Sequence, residues 1–187
     1  MNKQRHLVVI SGPSGTGKDT VAQRLIQLHP EIEVSVSATS RAPRPGEQEG
    51  VNYYYMTREN FEEKIAAGEI LEYTEYCGNY YGTPKSEVDR RIEQGITVIL
   101  VIEVEGATNM RRIYPDCNTI FVRPPSYEEL ERRLRSRGTE DEASIRRRLS
   151  RAVEEMEYAV DYSSVVVNDT VDQCAEEIYQ LICEGLK

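Results

Sequence analysis

Leu7-Val8-Val9-Ile10-Ser11-Gly12-Pro13-Ser14-Gly15-Thr16-Gly17-Lys18-Asp19-Thr20 is the stretch whose reading decides the fold. It opens on an apolar run, passes through a glycine-rich turn to a lysine, and continues into a pattern with Val21, Leu25 and Leu28 at helical spacing. Strand, glycine turn, lysine, helix is the arrangement of a phosphate-binding loop. Glycines let the backbone curl until several N–H groups point at one anion. Lys18 adds a point charge, and the helix N-terminus adds its positive dipole end. A glycine-rich turn that merely caps a helix is the plainer alternative; the strand and helix on either side favour the phosphate loop. Gly12, Pro13, Ser14, Gly15, Thr16, Gly17, Lys18, Asp19 and Thr20 are therefore candidate contacts for a nucleotide polyphosphate. The usual pattern ends Gly-Lys-Ser/Thr, with the hydroxyl on Mg²⁺. Here that position is Asp19, and Thr20 comes one residue late.

Working outward, 187 residues are enough for one domain with a real core. No stretch is apolar for long enough to span a bilayer, so no membrane partner is expected. Met1-Asn2-Lys3-Gln4-Arg5 runs straight into the first strand, which leaves no room for a signal peptide and predicts a cytoplasmic protein. Cys77, Cys117, Cys174 and Cys183 are scattered without a Cys-x-x-Cys pair, which argues against zinc and suits a reducing compartment. A net charge of −9 disfavours nucleic acid as a partner. The basic residues are concentrated instead, in Arg41 with Arg44 and in the arginines from Arg132 to Arg151. Most of the second group reads as a solvated helix face. The two histidines, His6 and His29, sit at element boundaries and do not look like catalytic bases. This points to chemistry driven by positioning and charge neutralisation, such as phosphoryl transfer.

Leu7–Ile10, Val98–Ile102, Ile120–Val122 and Val165–Val167 read as buried parallel strands. Ser126-Tyr-Glu-Glu129 and Thr139-Glu-Asp-Glu142 each fit a capping box at a helix start. The final helix begins near Thr170 and carries Cys174, Ile178, Leu181 and Ile182 on one face. Alternating strand and helix predicts an α/β fold: a parallel sheet core flanked by helices, as in P-loop NTPases, with the phosphate loop at the carboxyl end of the first strand. The segment from Val34 to Thr83 breaks the rhythm. Tyr53, Tyr54, Tyr55, Tyr73, Tyr76, Tyr80 and Tyr81 lie among short β-prone pieces around one helical stretch, Glu59–Ala67, closed by Gly68. It predicts a small mixed or antiparallel sheet inserted into the core.

Several motifs in order complete the reading: Gly12-Pro-Ser-Gly-Thr-Gly-Lys18; Val36-Ser37-Ala-Thr-Ser-Arg41-Ala-Pro-Arg44-Pro-Gly46-Glu47; Gly50-Val-Asn-Tyr53-Tyr-Tyr; Gly68-Glu-Ile-Leu-Glu72-Tyr; Gly78-Asn-Tyr-Tyr81-Gly82-Thr83; Arg137-Gly-Thr-Glu140; and Val166-Val-Asn168-Asp169. Together they resemble the guanylate kinases over essentially the whole chain. The resemblance implies a core of residues 1–33, 84–136 and 160–187, a GMP-binding lobe of residues 34–83 and a helical lid of residues 137–159. It implies that Arg41, Arg44, Tyr53 and Tyr81 hold the GMP phosphate, with Ser37 nearby and Glu103 as a further GMP contact. Forked guanidinium donors match phosphate oxygens, and tyrosine hydroxyls add donors without charge. Tyr54 and Tyr73 are expected instead to pack in a core with a polar tip at the surface. Glu72 and Thr83 are implied as base readers. A carboxylate accepts from both N1–H and the amino group of guanine, and the Thr83 hydroxyl serves O6. Such a site rejects adenine by about 10⁴-fold.

On the lid, Ile145, Leu149, Ala152 and Met156 are expected to form the buried stripe of a helix beginning near Glu140. Arg148 lies at the edge of that stripe, from which it can aim a guanidinium into a cleft. Lys18, Arg41, Arg137 and Arg148 are thus the implied catalytic set, with Arg146, Arg147 and Arg151 solvated. Asn168 and Asp169 fall where the family's adenine-contacting turn lies; helix capping is their other reading. The chain departs from the family at Asp19 and again at Val101-Ile-Glu103-Val-Glu105-Gly106, where the family commonly reads acidic-Ile-acidic-x-Gln-Gly. Asp19 could return to Mg²⁺ the negative charge lost at Val101, directly or through water. The expected activity is Mg²⁺-dependent phosphorylation of GMP by ATP, by a monomer or homodimer. A ribose bisphosphate kinase, or a guanylate-kinase-like binding module without catalysis, stands as the alternative.

Overall fold

The first strand of the protein's computed structural model, which describes residues 6–76, 78–136 and 141–186, is β1 (Leu7–Ser11), buried along its whole length. It runs into the glycine turn and then α1 (Lys18–Leu28). Strands β2 (Ile32–Val34), β3 (Ala38–Thr39) and β4 (Tyr54–Tyr55) lead to α2 (Arg58–Ala66). A hairpin of β5 (Ile70–Tyr76) and β6 (Asn79–Pro84) then passes into α3 (Lys85–Glu93). Three further units come next: β7 (Thr97–Val101) with α4 (Val104–Ile113), β8 (Asn118–Arg123) with α5 (Tyr127–Ser136), and α6 (Glu142–Met156) with a 3₁₀ turn (Glu157–Asp161). Strand β9 (Ser164–Val167) and α7 (Val171–Gly185) end the described chain.

The strands form two sheets. One is parallel, in the order β2-β7-β1-β8-β9, and the other is mixed, in the order β4-β3-β6-β5. Successive side chains of a strand face opposite sides, so β1 feeds two cores at once. Val8 and Ile10 join Val21 and Leu25 of α1 and Ile178 of α7 in one core. Leu7 and Val9 join Val88 of α3 and Ala107 and Met110 of α4 in another. Fully burying a Leu or Ile side chain is worth about 1.5–3 kcal/mol, so the parallel sheet is held from both faces. Phe61 of α2 anchors a small separate core with Ala38 and Ile70 under the mixed sheet. A fourth cluster joins α5 to α6 through Leu130, Leu134, Ile145, Leu149 and Ala152.

The sequence pattern located four parallel strands, and the structure has five in that sheet. The edge strand β2 reads Ile-Glu-Val, only its first residue is buried, and so it carries no continuous apolar run. Helix α2 is capped by Thr57, whose hydroxyl accepts from Asn60 N at 3.2 Å, and Gly68 at φ 70° ends it. Ser126 caps α5 as expected, accepting from Glu129 N at 3.2 Å. The cap of α6 differs from expectation: Asp141 fills it, accepting from Ser144 N at 2.7 Å, and the helix starts at Glu142 rather than near Glu140. Thr139 and Glu140 themselves lie outside the described residues. Met156 is half-buried, and Glu155 takes the last buried place on that helix.

Candidate active site

The glycine turn is shaped by a close approach of backbone to backbone. A Cβ on Gly12, at φ 143°, would sit 2.1 Å from the carbonyl oxygen of Val122, so no other residue fits. Gly17, at φ 88°, is the residue preceding α1, and a Cβ there would meet the Asn168 amide at 2.6 Å. Thr16 closes the turn through its hydroxyl, which donates to Pro13 O at 2.9 Å. Lys18 opens α1 and is only 6% exposed. Its ammonium donates to Glu103 Oε1 at 3.1 Å. Asp19 is exposed one residue later; it lines a hollow of about 220 Å³ with Ser37, Tyr53 and Val101.

Two residues brace the loop from behind. The Asn168 amide donates to Thr16 O at 2.7 Å, and Arg133 Nη1 donates to the same oxygen at 3.2 Å. Arg133 Nη2 reaches Asn168 O at 2.9 Å, while its Nε is held by Glu129 at 2.7 Å. Asn168 is therefore buried against the loop, 2% exposed, and its side chain touches loop backbone. The arginine-rich run gave no signal that set Arg133 apart from its solvated neighbours. Arg148 does reach the site, donating to Ser14 Oγ at 2.6 Å. Arg137 lies outside the described residues.

Across the cleft, the mixed sheet presents Glu72 on β5 and Thr83 on β6, 8% and 1% exposed. Thr83 Oγ1 donates to Glu72 Oε1 at 2.6 Å. Glu72 is on an edge strand, yet Gly106 of α4 packs so closely that a Cβ there would meet Glu72 Oε2 at 2.8 Å. Burial pushes the Glu72 carboxyl above its ordinary range; the Thr83 hydrogen bond opposes this and Glu103 adds to it. A cavity of about 200 Å³ opens here between Ser37, Tyr53, Glu72, Tyr81, Glu103 and Glu105. A larger hollow of about 740 Å³ continues from it toward Ser14 and Arg148.

Arg41 is clamped at present by a carboxylate. Its Nη2 donates to Glu47 at 2.9 and 3.0 Å, and its guanidinium lies 5.6 Å from the centre of the Tyr53 ring. The Arg41 hydrogen bond brings the Glu47 carboxyl down to about 2, with help from Arg44 N, which donates to it at 2.7 Å. Tyr53 and Tyr81 meet edge to face at 5.9 Å. Arg44 keeps its side chain exposed beside this group. Tyr54 packs in the lobe core and donates to Glu87 at 3.1 Å, as expected for a core tyrosine. Tyr73 does not: it is 49% exposed, with its ring meeting that of Tyr80 edge to face.

The chain has relatives among known proteins. Residues 4–184 match the family model described as guanylate kinase. The chain is 51% identical over 176 residues to the guanylate kinase of Synechococcus sp. (strain JA-3-3Ab), which covers 94% of this chain and 81% of that one. It is 50% identical to that of Parasynechococcus marenigrum (strain WH8102), over 96% and 98% of the two chains. The crystal structure of guanylate kinase from Anaplasma phagocytophilum superposes with a TM-score of 0.74 at 36% identity, covering 97% of this chain and 86% of that one.

Proposed function

The chain belongs to the guanylate kinase family, and from that premise we propose how its cleft carries out the reaction. It transfers a phosphoryl group from ATP to GMP, giving ADP and GDP. The observation that carries the assignment of parts is the buried Glu72–Thr83 pair, which faces across one cleft a glycine loop with a buried lysine. The backbone N–H groups of Gly12–Thr20 cradle the ATP phosphates, and Lys18 leaves Glu103 for them. Asn168 and Arg133 hold the loop in place for this.

GMP enters with its base against Glu72 and Thr83, and its phosphate against Arg41, Arg44, Tyr53 and Tyr81 with Ser37 nearby; Glu103 is a further contact. The Thr83 hydroxyl has one proton and now gives it to Glu72. Guanine replaces that bond with its own N1–H and amino donors, and the Thr83 proton turns to O6. The acceptor phosphate is already ionised, so no general base is required. Alignment of the two phosphates and screening of their repulsion by Lys18, Arg41, Arg137 and Arg148 supply the rate. The lobe (34–83) and lid (137–159) close over the core (1–33, 84–136, 160–187) to exclude water, which would otherwise take the phosphoryl group.

Mg²⁺ belongs to the same proposal. Asp19 and Glu103 place two carboxylates beside the loop, while no group of three or more His, Cys, Asp or Glu that could hold a metal occurs among the described residues. That donor set fits an ion that keeps several waters and takes its remaining ligands from phosphates. When bound, it supplies charge screening between the phosphates. No helix of the described residues is long and apolar enough to cross a membrane; we place the enzyme in the cytoplasm, as a monomer or homodimer. A coupled assay offering GMP, AMP, pyrimidine monophosphates and ribose bisphosphate tests the assignment. Rapid turnover of GMP alone is expected, and equal rates with AMP would overturn it.

A further inference from the structure

Arg151 reads from sequence as one more solvated arginine of the lid helix, and its side chain is indeed 65% exposed, yet it also lines the base cavity. Three carboxylates line that cavity of about 200 Å³: Glu72, Glu103 and Glu105. Arg151 is its one cationic lining residue among those described. Where guanylate kinases commonly carry glutamine, this chain has Glu105, and where they commonly carry an acid it has Val101, which also lines the cavity, so one negative charge has moved from β7 to α4. Arg151 also lines the larger hollow leading to Ser14 and Arg148.

The arginine is not left to wander. Its Nε donates to Glu155 Oε1 at 2.7 Å. An ion pair one helical turn apart on a wet surface is ordinarily of little consequence. Here Glu155 is 7% exposed, and its Oε2 is buried with no hydrogen-bond partner among the described residues. A buried carboxylate left half-satisfied is costly, so its retention beside the cleft asks for a reason.

We propose that Arg151 is a specificity-determining residue of the GMP cavity: anchored by Glu155, its guanidinium faces Glu103 and Glu105 and offsets their charge, leaving Glu72 as the carboxylate that meets guanine. This rests on the functional reading above. Glu103 and Glu105 line the same cavity as Arg151, and the guanidinium's pKa is raised first by Glu155, with smaller contributions from those two. The charge at Glu105 and its counter-charge at Arg151 thus line one cavity from α4 and α6.

The test compares the parent with R151Q, R151K and E105Q/R151Q. GMP KM, ATP KM and kcat are measured for each, together with GMP binding by calorimetry and Tm. R151Q is expected to raise the GMP KM about three- to tenfold, a coupling of ordinary size between neighbouring charges. Its kcat should change less than its KM, and its ATP KM should stay parental. R151K keeps the charge and should stay near the parent, and E105Q/R151Q should recover most of the loss. A parental GMP KM in R151Q would overturn the proposal. So would a raised KM that E105Q does not recover, which would leave Arg151 as a partner for Glu155 only. A parent that neither binds nor phosphorylates GMP would overturn the functional reading first, and this one with it.

Discussion

Glu72, the proposed guanine reader, is one carboxylate whose burial already works against its charge. Its raised pKa fixes the sign of a pH effect. As pH falls, Glu72 takes up a proton at a higher pH than an exposed glutamate would, and a protonated carboxyl cannot accept from both guanine donors. The GMP KM should therefore rise as pH drops through that shifted range, and the rise should vanish in Glu72→Gln, whose KM is already higher by about ten- to a hundredfold. Steady-state kinetics from pH 8 downward, at saturating ATP, check both. At Lys18 the expectation is the opposite split. Lys18→Ala should lower kcat on the order of 10²–10³-fold, the usual loss for a preorganised charge at a transition state. Calorimetric GMP binding should weaken far less, because the Lys18 ammonium belongs to the phosphate loop and meets the GMP cavity through Glu103 rather than directly. These residues were legible in the sequence because each stands in a short motif. Tyr73 was misread because a strand's alternation does not say which of its faces is covered.

At the scale of elements, two junctions decide how the parts hold together. The first is Glu87, at the start of α3. It accepts from Val36 N at 3.3 Å on the chain entering the lobe, from the Tyr54 hydroxyl at 3.1 Å within the lobe, and from Arg90 at 3.3 Å on its own helix. It also pairs with Arg91, whose Nε holds Glu33 of β2 at 2.7 Å. Despite its burial, these partners bring the Glu87 carboxyl below the usual glutamate range, Arg91 foremost among them. A carboxyl depressed on folding contributes stability that is present above its unfolded pKa and lost as pH falls through its folded pKa. Glu87→Ala should thus lower stability by about 3 kcal/mol at pH 7, the scale for breaking a buried pair. Its penalty relative to the parent should shrink below pH 4, as urea unfolding at several pH values would show. The second junction is Arg133, which ties α5 to the glycine loop and to the turn after β9. Arg133→Ala should raise the ATP KM by roughly tenfold, the size expected for losing two charge-assisted hydrogen bonds, with the GMP KM little moved. Neither junction was visible in the sequence. Their partners lie far apart along the chain, and nothing in a local pattern brings Glu87 to Tyr54 or Arg133 to Thr16.

For the whole molecule, the groups proposed to meet phosphate are divided among three bodies: the loop on the parallel sheet, the Arg41–Tyr81 group on the mixed sheet, and Arg148 on α6. The cleft between them is open, with a hollow of about 740 Å³ bordered by Ser14, Tyr81, Glu103 and Arg148. Transfer requires these groups to converge on one phosphoryl group. Small-angle scattering with ATP and GMP analogues, or with a linked bisubstrate analogue, should record a smaller radius of gyration than for the protein alone. An unchanged radius would reject closure.

Sequence alone determined the class of fold and the class of chemistry. The strand–glycine–lysine–helix order, the glycines at tight turns and the alternation of strands with helices all act over a few residues, through backbone sterics and burial periodicity. A string of letters carries such signals intact. Tertiary structure decided what those letters meet. It placed the Ile-Glu-Val strand at the edge of the parallel sheet, covered Glu72 with Gly106, and set Arg133 and Asn168 behind the loop. It also distinguished arginines that the sequence presents alike, turning Arg148 to Ser14 and Arg151 to Glu155 at the cavity mouth. The physical reason is that a side chain's charge acts through its neighbours in space. For a long, flexible arginine those neighbours are chosen by how helices pack on the sheet, after the chain has folded.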